Sequence, residues 1–389
     1  MTYWPLMEDT ISFRDRLKMA MFLLTSSRLT NGPKVREFES KWSEWLNVKH
    51  SLYVSSGSTA NSLLIAAVKE HYGLNDGDKV LVPATTWMTN IAPVFQNGLQ
   101  PIFCDINLDN YSFDIDELKY IATQHPDIKV VFITHLIGFS SNVELVGDIF
   151  PNALILEDVC ESHGVEGPNN KKRGSDSIGS TFSFYFGHHM TTIEGGIVCT
   201  NNTELYELMR MKRSHGMARE ASTEMFKKYS QENPNIDPAF LFMTDGYNFR
   251  NHEVCAVLGL SQIKRLDKNI EIRRENFQYW MQNFLDSPNS KNYIIPENQQ
   301  GNSSFSFPII TRDKSFTDYL KSSFRHQGIE YRPIISGNIL MHPAFKKYSL
   351  CTQKENTNVD ILHKNGLYVG NSQFVNKEKI DRLLTLMGL

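Results

Sequence analysis

Three short segments hold the residues best suited to chemistry. Between Ser183 and Gly196, a strand-like run enters a loop of polar and small residues that carries His188 and His189, then returns through Gly195 and Gly196. Histidine carries protons near neutral pH. Adjacent histidines rarely point at one metal, so a metal site has little support and His189 reads as a support for His188. A second segment, Leu154 to Asp158, is an apolar run ending in Glu157 and Asp158. A carboxylate there can pair with a protonated heterocycle or cap the following turn. Glu161, three residues on, faces the same direction only if a helical turn follows. The third segment, Ser55 to Asn61, includes Gly57, Ser58 and Thr59 and opens a helix after the apolar run Leu52 to Val54. Small residues at such a turn let backbone N–H groups approach an anion, aided by the helix dipole. Taken alone, the segment reads rather as a helix capped by Ser58 or Thr59.

These segments need a scaffold. Lys79 to Pro83, Pro101 to Ile106, Lys129 to Thr134, Leu154 to Asp158, Ser180 to Phe186 and Gly196 to Thr200 read as buried strands. Helical patterns such as Thr59 to His71 and Asp116 to Thr123 lie between them. Such alternation predicts an α/β fold, a mostly parallel sheet with helices on both faces and ligands at the strands' carboxyl ends. Met217 to Thr244 is polar and irregular, either an insertion over the site or an idle loop. A helical pattern runs from Glu253 to about Leu285, a polar stretch covers Asp286 to Ser304, and a smaller α+β region ends in the helix Lys377 to Met387. The expected division is a large domain over residues 1–260, with an N-terminal arm, and a small domain over 261–389.

The chain has 389 residues and a formal net charge of -3, with no electrostatic sign of a nucleic-acid partner. No apolar run approaches the roughly 20 residues of a membrane span, and Met19 to Leu24 is too short for a signal segment. Cytoplasmic residence is the default expectation. Cys104, Cys160, Cys199, Cys255 and Cys351 are scattered without C-x-x-C spacing, which disfavours zinc or iron–sulfur binding.

The order and spacing of these segments resemble the DegT/DnrJ/StrS sugar aminotransferases, a branch of the fold-type I (aspartate aminotransferase-like) pyridoxal-phosphate enzymes. The resemblance runs from Leu29 to Val35 with Phe38 and Glu39, through Ser56 to Ala60, Val82 to Trp87, Glu157-Asp158 and the Ser183 loop. It continues through Gly246 to Arg250 and Gly259 to Leu266. It implies that Gly57 and Ser58 offer N–H groups to the cofactor phosphate, with the Ser183 hydroxyl beside them. Trp87 is expected to stack on the pyridine ring, Asp158 to hold the ring nitrogen protonated, and Glu161 to lie near the ring hydroxyl. Asn248 is expected to reach the phosphate in a neighbouring subunit, which implies a homodimer with shared sites.

His188 departs from the aminotransferase pattern, which has lysine there. Imidazole cannot hold the cofactor covalently, so pyridoxal or pyridoxamine phosphate is expected to sit noncovalently while His188 keeps proton transfer. The substitution resembles the family's 3-dehydratases. Of these, the cluster-free branch takes glutamate as amine donor, needs no iron–sulfur reductase partner and acts on GDP-4-keto-6-deoxy-D-mannose. His215, Arg219, Arg250 and Arg332 are candidates for glutamate carboxylates or the nucleotide diphosphate, each arginine being equally readable as a surface salt bridge. A nucleotide-sugar aminotransferase and a non-catalytic cofactor-binding relative are the competing readings.

Overall fold

The computed structural model describes residues 3–389. A seven-stranded sheet is built from β1 (His50–Val54), β2 (Lys79–Pro83), β3 (Gln100–Cys104), β4 (Val130–Thr134), β5 (Leu154–Asp158), β6 (Gly179–Ser183) and β7 (Gly196–Thr200), in the order β1-β7-β6-β5-β4-β2-β3. The β2, β3, β4, β5 and β6 pairings are parallel, and β7 runs antiparallel to both β1 and β6. The α/β class with a mostly parallel mixed sheet is thus as expected. Alternation of side chains explains the double burial. Val80, Val82, Val130 and Phe132 face a core with Leu63, Leu64, Ile91 and Leu205. Leu81, Val131 and Ile133 face another, with Leu118, Ile121 and Val146.

A second sheet comprises β8 (Tyr293–Ile294), β9 (Ser306–Thr311), β10 (Tyr331–Arg332) and β11 (Gly366–Gly370), in the antiparallel order β10-β11-β9-β8. Its core joins Phe307, Ile309 and Leu367 to Trp280, Phe284, Leu320 and Leu383. Trp4 belongs to this core: it bridges Ile329 and donates its indole N–H to Gly370 at 3.2 Å. The N-terminal segment therefore crosses to the second sheet before the chain enters the first.

Local readings differ from the structure in four places. The strand expected over Ser180 to Phe186 stops at Ser183 and turns at Phe186, where the His188 N–H bonds the Tyr185 carbonyl and the chain reverses. The cap of helix Gly57–His71 is Ser56, not Ser58 or Thr59; its hydroxyl accepts from the Thr59 N–H and the Thr59 hydroxyl accepts from the Ser56 N–H. The segment from Met217 to Thr244 contains a ten-residue helix, Thr223–Glu232, with no buried residue. The helical run from Glu253 breaks into Glu253–Gln262 and Leu266–Asp286, separated by a tight turn at Ile263–Arg265.

Candidate active site

A cavity of ≈ 290 Å³ lies at the carboxyl ends of β4, β5 and β6, where the open-sheet rule places ligands. Gly57, Ser58, Trp87, Asp158, Glu161, Ser183, His188 and Arg332 all line it. Eight of the expected residues, from five separate stretches of chain, thus meet at one place.

One end of the cavity is built by close packing. Helix Gly57–His71 points its first N–H groups, Gly57 and Ser58, at the cavity. A Cβ on Gly57 would come within 2.6 Å of the Ser183 Cβ, and one on Gly196 within 2.2 Å of the Ser56 carbonyl. Only glycine lets the helix start, β6 and β7 approach this closely. The result is a concave set of N–H donors beside the buried Ser183 hydroxyl, which suits an anion.

Asp158 is buried, 4% exposed. Its Oδ2 accepts from Asn61 Nδ2 at 2.8 Å and its Oδ1 from the Cys160 N–H at 3.0 Å. Asn61 is held in turn by the Thr181 hydroxyl at 2.6 Å. Glu157, one residue earlier, points to the opposite face and takes a hydrogen bond from His135 at 2.8 Å; it has a structural role. No helical turn follows Asp158; a tight turn closed by Ser162 N–H to Val159 C=O still brings Glu161 into the cavity. Burial, with the Asp158 charge adding to it against the Ile137 N–H at 3.2 Å, pushes the Glu161 carboxyl up to about 8. Glu161 is therefore protonated at neutral pH and can donate a hydrogen bond.

His188 follows a turn closed by its N–H on Tyr185. Burial, reinforced by the Arg273 guanidinium, lowers its imidazole to about 4. The imidazole is therefore neutral at pH 7 with a lone pair free to accept a proton, while burial makes it a weaker base than free histidine. Gly187 beside it is packed by Met7, whose sulfur would lie 2.1 Å from an added Cβ. His189 is fully buried, bonds the Ser303 carbonyl at 2.9 Å and does not line the cavity.

The remaining candidates lie elsewhere within this chain. His215, Asn248 and Arg250 form their own cluster, with Arg250 reaching Asn248 at 3.0 Å and His215 at 3.3 Å, and none lines the cavity. Exposed Arg219 donates to the Ala239 carbonyl at 3.1 Å. The salt-bridge reading is corrected: among the described residues, neither Arg219, Arg250 nor Arg332 lies within ion-pair distance of a carboxylate. Lining residues that the sequence reading missed include Leu6, Met7, Phe305 and Tyr368. They come from the arm and the second sheet and carry no local signal. Asn61 was within reach, because it lies one helical turn beyond Gly57 and Ser58, on their face.

The whole layout can be compared with known proteins. The DegT/DnrJ/EryC1/StrS aminotransferase family model matches residues 13–387. The chain belongs to this family. Among DegT/DnrJ/EryC1/StrS proteins, it is 34% identical over 375 residues to GDP-4-keto-6-deoxy-D-mannose 3-dehydratase of Escherichia coli O55:H7, covering 94% of this chain and 95% of that one. It superposes with a TM-score of 0.90 on a GDP-4-keto-6-deoxymannose-3-dehydratase mutant with bound GDP-perosamine, 31% identical, covering 99% and 100% of the two chains. A dehydratase from E. coli with bound hydrated pyridoxal phosphate gives a TM-score of 0.88 at 30% identity, covering all of both chains. Among the described residues no helix is long and apolar enough to cross a membrane. No group of three or more His, Cys, Asp or Glu there is placed to hold a metal ion.

Proposed function

We propose that this protein removes the C3 hydroxyl from GDP-4-keto-6-deoxy-D-mannose, using glutamate and noncovalently held pyridoxal 5'-phosphate, to give GDP-4-keto-3,6-dideoxy-D-mannose. The observation that carries this reading is His188, a neutral imidazole facing a cavity that keeps the rest of a cofactor cradle. The residues fit the cofactor: the N–H groups of Gly57 and Ser58 with the Ser183 hydroxyl for its phosphate, Trp87 for its ring face, Asp158 for its ring nitrogen and Glu161 for its hydroxyl. When bound, pyridoxal phosphate supplies an aldehyde that takes up the amine and a ring that accepts electrons. His188 takes the α-proton of glutamate and later carries a proton to the departing C3 oxygen. Asp158, fixed by Asn61, keeps its charge aimed at the ring nitrogen throughout. The balance closes: glutamate and the keto sugar give 2-oxoglutarate, ammonia and a sugar lighter by one oxygen. The electron pair lost by glutamate reduces C3.

Arg332, at the rim, is our candidate for a substrate carboxylate or diphosphate. Asn248, with His215, Arg250 and Arg219 beyond this chain's own cavity, is assigned to the neighbouring copy's site in a homodimer. The helix Phe13–Thr25 supports that assembly: Phe13, Leu17, Met21 and Leu24 are 79%, 52%, 53% and 82% exposed at spacings that share one face. Residues 1–260 and 261–389 remain our two domains, and the cytoplasm our compartment. The test is to incubate the protein with cofactor, glutamate and the GDP-keto sugar. Release of 2-oxoglutarate and ammonia with loss of one sugar oxygen is expected, and transfer of nitrogen to the sugar would point to an aminotransferase instead.

A further inference from the structure

Beneath His188 lie two more buried imidazoles that the reaction above does not use. His163 and His189 are both fully buried. The ring centres of His163 and His189 are 5.3 Å apart, and those of His163 and His188 6.1 Å. Among the described residues, neither nitrogen of His163, nor Nδ1 of His188, nor Nδ1 of His189 has a hydrogen-bond partner within 3.5 Å, although the Ser183 backbone beside His163 favours its protonated form. Four orphaned nitrogens on three neighbouring rings are costly unless they pair with one another. The outer end of this row is fixed. His189 Nε2 lies 2.9 Å from the Ser303 carbonyl, which can only accept, so Nε2 carries the proton and Nδ1 is bare. Arg273 is 3% exposed and, among the described residues, has no carboxylate partner; it bonds the Asn371 carbonyl, and the Asn371 amide also reaches Ser304 at 3.0 Å. With burial, its charge lowers the affinity of all three rings for an extra proton. Each ring therefore holds one N–H. Across the cavity, His188 faces the charged or ionisable groups Asp158, Glu161, Glu194 and Arg332.

We infer that His163 and His189 are positioning residues that fix the tautomer of His188: His189 donates to Ser303, His163 to His189 Nδ1, and His188 Nδ1–H to His163. This leaves the lone pair of His188 Nε2 facing the reacting atoms. A paired set of imidazoles needs ring centres roughly 5 Å apart for an N···N contact of about 3 Å. The 5.3 Å pair is near this spacing and the 6.1 Å pair is wider; neither is hydrogen-bonded in the structure, and both close when the loaded site tightens, as catalytic contacts commonly do. The inference rests on the proposed role of His188 as the base. Its test is nitrogen-15 NMR of labelled histidines in the cofactor-loaded protein without glutamate or sugar, between pH 6 and 8, assigned with His188→Asn. We expect His188 as the Nδ1–H tautomer. In His163→Phe, which suits the aromatic surroundings of Trp42, Phe182 and Phe184, His188 should become a tautomer mixture. The kcat for 2-oxoglutarate formation should also fall on the order of 10-fold with little change in KM. An Nε2–H tautomer of His188 in the unmodified protein, or an unchanged tautomer in His163→Phe, overturns the inference. The tautomer of the unmodified protein decides alone if the variant does not fold. A normal tautomer with no 2-oxoglutarate formed would sink the proposed reaction and leave the relay standing.

Discussion

Glu161 and Asp158 line one cavity three residues apart, and the charge of Asp158 joins burial in pushing the Glu161 carboxyl up to about 8. One site thus holds a hydrogen-bond donor and an acceptor of the same chemical type, separated by environment alone.

Cofactor binding should accordingly weaken as pH rises through about 8, where Glu161 ionises. Glu161→Gln should remove that dependence, as read by fluorescence titration of pyridoxal phosphate at pH 7 and 9. The sign for stability follows linkage. A carboxyl raised in the fold contributes stability fully present below its unfolded value, near 4.5, and lost as pH rises through about 8. Glu161→Gln should therefore be more stable than the unmodified protein at pH 8.5, with the gap closing toward pH 4.5.

Asn61→Ala removes the 2.8 Å amide contact to Asp158 and frees the Thr181 hydroxyl. A lost buried hydrogen bond to a charged group costs about 1.5–3 kcal/mol. Cofactor affinity should fall by roughly tenfold or more, while the far-ultraviolet circular dichroism stays unchanged.

Gly57→Ala places a methyl 2.6 Å from the Ser183 Cβ. The helix start must move away from β6, and the phosphate loses its matched donors. Pyridoxal phosphate binding should drop by at least about tenfold. Gly57→Ala with Ser183→Gly should regain thermal stability without regaining full affinity, because the Ser183 hydroxyl is gone.

The buried histidines make the fold acid-sensitive. Burial lowers His163, His188 and His189 below the ordinary value of 6.5, with His188 at about 4. Groups depressed in the fold contribute stability present above the unfolded value and lost as pH falls through the folded one. Melting temperature should drop steadily from pH 6.5 toward 4, and His163→Phe should flatten that slope.

Much of this architecture was legible because it is local. β4 and β5 are apolar runs, and Ser56 with Gly57 and Thr59 marks a helix start whatever the rest of the chain does. Family resemblance then told which strand ends matter. What stayed hidden depends on distant contacts. Tyr368 and Phe305 reach the cavity only because the second sheet docks on the first, and Met7 only because Trp4 anchors the arm beside Ile329. Ser180 to Phe186 read as one long strand because its aromatic residues mask the turn closed between Tyr185 and His188. The His163 row could not be seen either, since Ser303, 114 residues from His189, sets its outer end.

The central claim is that histidine at position 188 directs this site to remove oxygen rather than to transfer nitrogen. It is tested most directly by the mass of the sugar after incubation with pyridoxal phosphate, nitrogen-15 glutamate and GDP-4-keto-6-deoxy-D-mannose. We predict a keto sugar lighter by one oxygen, with all of the labelled nitrogen released as ammonia and an equal amount of 2-oxoglutarate. A sugar that keeps its C3 oxygen and carries the labelled nitrogen at C4 would contradict the account.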